Sequence, residues 1–142
     1  ALYLDGSGFH ILHVGDSRCY LFRRGALLPL TRDHTVAYEV HEHDPKKVTR
    51  DQLRHHPNQR LLTRSFAATR DFVPTEVRQD AVLTGDRFLL CTDGVVKRLA
   101  ESEIARILST DENPTSACSR LVEAAVSSGA DDDVTAILVR ME

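Results

Sequence analysis

Gly85-Asp86-Arg87-Phe88-Leu89-Leu90-Cys91-Thr92-Asp93-Gly94 decides the fold. A Gly-Asp turn leads into a near-continuous apolar run over Arg87 to Thr92, which predicts a strand covered on both faces, and the run ends by delivering a carboxylate into a second glycine-bearing turn. Two other segments repeat that ending. Asp16 lies in His13-Val14-Gly15-Asp16-Ser17-Arg18, and Asp132 in Gly129-Ala130-Asp131-Asp132-Asp133-Val134-Thr135. Strand ends that place charge in polar turns suit hard divalent cations bound through oxygen.

Outward from this run the chain reads as strands and grouped helices. Ala1 to Leu4, Phe9 to Val14, Cys19 to Phe22 and Ala26 to Leu30 are expected as an antiparallel meander, turning at Gly6-Ser7-Gly8, Gly15 to Arg18 and Arg24-Gly25. Asp33 to His56 is polar and helix-compatible, broken at Asp44-Pro45, with Thr49 placed to cap Arg50 to His55. Leu61 to Phe66, Thr75 to Val82 and Val134 to Val139 read as strands. Ser102 to Leu108 and Pro114 to Ser127 read as helices. Asn113-Pro114 opens the second, Gly129 closes it, and Cys118, Leu121, Val122, Ala125 and Val126 are its expected apolar face. Helices grouped rather than alternating with strands argue for an α+β layered sandwich, and against a doubly wound parallel sheet.

Composition narrows the function. The 142 residues, 42% hydrophobic and 27% charged, suffice for one core and one domain spanning 1–142. A formal net charge of −3 offers no basic field for nucleic acid, and no apolar run approaches the roughly 20 residues of a membrane span. Cys19, Cys91 and Cys118 form no CxxC pair and sit in apolar segments, which predicts reduced, buried thiols in a cytoplasmic protein. The opening Ala1-Leu2-Tyr3-Leu4 reads as a strand without a charged leader, as if cut from a longer chain.

Five ordered segments carry a resemblance: Val14 to Tyr20, Leu30-Thr31-Arg32-Asp33-His34, Leu62-Thr63-Arg64, Gly85 to Gly94, and Asp132-Asp133-Val134-Thr135. In that order and spacing they resemble the metal-dependent protein serine/threonine phosphatases of the protein phosphatase 2C type (the PPM family), over the C-terminal portion of the catalytic domain. The resemblance implies a four-layer α-β-β-α sandwich of two antiparallel sheets flanked by helices, here lacking its N-terminal part, with two or three Mn or Mg ions at one sheet edge. It implies metal ligands at Asp93, Asp132 and Asp16, the last for a weaker third ion, and no phosphoenzyme. The implied reaction is hydrolysis of phosphoserine or phosphothreonine in a protein substrate by a metal-bound water. It also implies an upstream segment with an Asp-Gly metal bridge, an acid histidine and a phosphate-gripping arginine. Two departures stand out: Asp133 where the family has Asn, leaving a choice of register among Asp131 to Asp133 that Val134-Thr135 settles for Asp132, and Lys97 near the cleft. They motivate an alternative from another class, a non-catalytic phosphatase-like regulatory or binding module.

Other chemistries are weaker. His41-Glu42-His43 and His55-His56 would bind zinc only if they converged, and a polar helical surface is the preferred reading. No GxSxG elbow exists for a serine nucleophile, and Gly6-Ser7-Gly8 is too short to cradle phosphate. Arg18 and Arg64 are given structural roles.

Overall fold

The computed structural model describes residues 1–5, 8–46, 48, 51–66 and 75–142. Strands β1 (Leu2–Leu4), β2 (Phe9–His13), β3 (Arg18–Arg23) and β4 (Ala26–Pro29) come first, followed by helix α1 (Val36–His43) and a short 3-10 helix, Asp51–His55. Then come β5 (Glu76–Asp80), β6 (Arg87–Cys91), α2 (Asp93–Val96), α3 (Glu101–Thr110), α4 (Pro114–Ser127) and β7 (Ala136–Arg140).

The strands form two antiparallel sheets, ordered β1-β2-β5 and β4-β3-β6-β7. This corrects the expected continuous meander: β2 and β3 do not pair, and Gly15 to Ser17 carries the chain from one sheet to the other. Gly15 turns it with φ of +106°, a conformation that favours glycine. The turn is held to a distant loop rather than to its own flanks, since Gly15 N donates to His34 Nδ1 at 3.1 Å and His34 N donates back to Gly15 O at 2.9 Å. Asp16 thereby stands at an edge of the sandwich, outside both sheets.

Strand β6 is interior, between β3 and β7, and both its faces are covered as its apolar run predicts. Phe88 points toward the three-stranded sheet and meets Phe9 edge-on, ring centroids 5.0 Å apart, in a layer with Ile11, Cys19 and Leu21. Leu89 points the other way, into a core shared with Tyr20, Phe22, Val95, Ile104, Leu108 and Leu121, so α2, α3 and α4 cover the outer face of the four-stranded sheet. Burial of such apolar side chains supplies most of the stabilisation, at about 1.5–3 kcal/mol each. The outer face of the three-stranded sheet leaves Tyr3, Leu12 and Val77 exposed. The α+β sandwich of two antiparallel sheets flanked by helices is the architecture expected from sequence.

Helix α4 has the expected bounds, and Asn113 accepts from Thr115 N and Ser116 N as its cap. Its buried face is Ala117, Leu121 and Ala125, turned by one residue from the expected stripe, with Val126 exposed. The small alanines let the helix lie close on the sheet, which periodicity of large apolar residues does not reveal. Leu61 to Phe66 is not a strand but contributes one bridge, Thr35 to Leu62. Thr35, not foreseen as a cap, accepts from Tyr38 N at the start of α1. The expected cap at Thr49 and the turn at Gly6-Ser7 lie outside the described residues.

Candidate metal centre

Three chain segments meet at the end of β6. Thr92 binds the loop before β7 twice, donating from Oγ1 to Asp133 O at 2.9 Å and accepting from Thr135 N at 3.0 Å. Gly94 closes the contact, because a Cβ there would stand 2.5 Å from the Asp133 carbonyl oxygen. The Asp-Gly pair therefore joins a carboxylate aimed at the edge to a backbone bare enough for the loop bearing Asp132 to lie against it.

Asp16 approaches the same edge from the sheet-switching turn. Burial raises its proton affinity, and the Asp93 carboxylate raises it further, followed by Asp33, while the Lys97 ammonium works against them. Asp16, Asp33, Asp93 and Lys97 line a cavity of about 20 Å³, with room for one water or bare ion. Beside it lies a wider cleft of about 330 Å³ that shares Arg18, Asp33 and Val96.

The surrounding charges are fixed by pairs. Arg18 grips Asp33 through two bonds of 2.7 Å and donates to Tyr20 Oη at 2.9 Å, the structural role read for it from sequence. Desolvation works against its charge, but the Asp33 carboxylate outweighs it and holds the guanidinium protonated. Lys97 donates from Nζ to Asp93 Oδ2 across one turn of helix. Asp131 accepts from Arg60 at 2.8 Å and from Arg98 at 2.5 Å, which keeps its carboxyl well below the usual range.

Of the three aspartates expected as ligands, Asp16 and Asp93 come together. Asp132 sits on the exposed loop docked to Gly94, where its Oδ1 accepts from Asp133 N at 2.9 Å. Among the described residues no three carboxylate, imidazole or thiolate groups converge on one point, and His41 instead bonds to the Val48 carbonyl. The Asp16–Asp93 pair nonetheless fits a hard divalent cation: both donors are carboxylate oxygens, withdrawn in part from water, and they line one small cavity. Arg60 was missed from sequence because its partner lies 71 residues on. The Asp93–Lys97 bond was legible as an i,i+4 pair once α2 was recognised.

The thiols are as expected in state and differ in burial. Cys19 and Cys91 are buried free thiols on opposite faces of the four-stranded sheet, each pushed up to about 12 by burial, and Cys118 is free and partly exposed. No helix among the described residues is long and apolar enough to cross a membrane.

No family model matches the chain. It is 33% identical over 138 residues to the serine/threonine protein phosphatase PstP of Mycobacterium tuberculosis, covering 97% of this chain and 26% of that protein. Its fold matches PppA, a key regulatory component of T6SS in Pseudomonas aeruginosa, with TM-score 0.83 and 32% identity over 98% of this chain and 54% of that one. It also matches the catalytic domain of PstP in complex with two manganese ions, with TM-score 0.79 and 28% identity over 96% of this chain and 55% of that one. The chain thus spans about a quarter of the curated PstP and about half of each solved chain. It is a relative of the PPM-type serine/threonine phosphatases, the protein phosphatase 2C family, and carries their fold along nearly its whole length.

Proposed function

We propose that this chain forms a single unit, the C-terminal portion of a phosphatase domain that hydrolyses phosphoserine or phosphothreonine in protein substrates with Mn or Mg. The observation that carries the proposal is the meeting of Asp16 and Asp93, delivered from two strand ends to one edge of a sandwich shared with phosphatases of which one holds two manganese ions. Asp93 and Asp16, with Asp132 on the adjoining loop, are the side chains that would hold the cations, and further ligands come from a preceding segment of the intact protein. When bound, such ions supply Lewis acidity to water and screen phosphate charge.

The chain's own residues do the positioning. Thr92 and Gly94 hold the Asp132 loop on the Asp93 turn, and His34 clamps the turn that presents Asp16. Arg18 keeps Asp33 bonded, so that a third carboxylate beside the pair stays occupied. The exposed loop bearing Asp132 and the wider cleft beside Asp33 leave the edge open to a phosphorylated segment. Free thiols agree with a reducing compartment such as the cytoplasm.

The Lys97–Asp93 bond favours a second reading, a phosphatase-like module without catalysis. Release of inorganic phosphate from a phosphothreonine peptide by the intact protein separates the two. The phosphatase gives release that needs added Mn and stops with chelator; a folded protein with none at any Mn concentration is the module.

A further inference from the structure

Asp93 already has a cation of its own. Lys97 Nζ donates to Asp93 Oδ2 from one helical turn away, with the two side chains only 14% and 21% exposed. Such a pair is not the solvated surface ion pair that contributes little, because water screens it poorly. The same ammonium reaches past Asp93 in its effect, opposing the influence of the Asp93 and Asp33 charges on Asp16. The cavity lined by Asp16, Asp93 and Lys97 has about 20 Å³, room for one small occupant. A divalent ion at the oxygen held by Nζ would meet a like charge at contact distance in a part-buried setting.

Resting on the phosphatase reading, we propose that Lys97 is a tethered counter-cation of the Asp16–Asp93 pair, and that a divalent ion binds there only by displacing it. The lysine keeps the metal-free carboxylates from repelling one another and sets a threshold of metal concentration for loading. Its four-carbon stem lets the ammonium leave without unwinding α2, and the wider cleft that shares Arg18, Asp33 and Val96 with the cavity adjoins its position. Lys97 therefore tunes metal loading and touches no substrate in this role.

The test is calorimetric titration of Mn into the intact protein and into its Lys97→Gln, Lys97→Met, Lys97→Arg and Asp93→Asn variants, each first shown folded by circular dichroism. Both neutral variants are expected to bind Mn tighter by at least about tenfold, as for removing a like charge a few ångströms away. Lys97→Arg, which keeps the charge, is expected to stay within about threefold of the parent, well inside that difference. Lys97→Met guards against a loosened helix in Lys97→Gln, since its stem packs similarly. Unchanged or weaker binding in both neutral variants, with binding still lost in Asp93→Asn, overturns the counter-cation role and leaves the metal site standing. Absence of saturable binding in every protein, or binding indifferent to Asp93, overturns both.

Discussion

The Asp133 carbonyl oxygen lies so close over Gly94 that a Cβ there would approach it to 2.5 Å. Backbone on backbone leaves no flexible side-chain end to yield, so any side chain at position 94 must push the Asp132 loop away from the Asp93 turn. Gly94→Ala is expected to lower the melting temperature by several degrees, corresponding to about 1–3 kcal/mol of overpacking. It should also weaken Mn binding. A variant with parental stability and parental affinity would show that the two segments need not touch.

The register of the last ligand is testable from the ion pairs. Asp131 is taken by Arg60 and Arg98, while Asp132 is left to its own turn. Asp132→Ala should therefore reduce Mn affinity by about tenfold or more, as loss of a charged ligand does, and Asp131→Ala should change it by less than about threefold. Titration calorimetry on the two variants decides, and the reverse order would move the ligand to Asp131.

Arg23 and Asp86 tie β3 to the turn before β6 across 63 residues, through bonds of 2.8 and 2.6 Å, with Leu83 N as a further donor to the carboxylate. Burial opposes the charge of Asp86, yet these partners hold its carboxyl below the usual range. A depressed folded value contributes stability that is present above the unfolded value of about 3.9 and is lost as pH falls below it. Denaturant unfolding at pH 6 and pH 3 should show an acid-induced loss that is smaller in Asp86→Asn. That variant should also be weaker at pH 6 by about 3 kcal/mol, because it leaves Arg23 without its charge partner.

Thiol chemistry should follow burial. Cys19 and Cys91 are pushed up to about 12 and enclosed in the two cores, whereas Cys118 on α4, also raised by burial, is partly exposed. Alkylation of the native protein at pH 8, followed by peptide mass spectrometry, should label Cys118 first. Equal labelling of all three would mean that the sheets open readily.

How far the sequence was legible depends on the range of each interaction. The run from Arg87 to Cys91 announced an interior strand because both faces are apolar, and Asn113-Pro114 announced a helix start because capping is local. Periodicity says that Phe9–His13 and Arg18–Arg23 are strands, but it does not name their partners. Their separation into two sheets rests on Gly15 and on its bonds to His34, 19 residues away. For the same reason the strand-end positions of Asp16 and Asp93 pointed to cation chemistry, while the ligand set at one sheet edge came from the resemblance. The locks on Asp131 and Asp86 were invisible, since an arginine 60 or 70 residues off leaves no local trace.

Phosphate release tests the metal site most directly. The intact protein, supplied with Mn and a phosphothreonine peptide, is compared with Asp93→Asn at equal folded concentration. Mn-dependent release that falls by about a hundredfold or more in the variant is the predicted result, since one carboxylate of the pair that faces the cation is removed. Release at the parental rate from a folded Asp93→Asn protein would contradict a metal site built on Asp93.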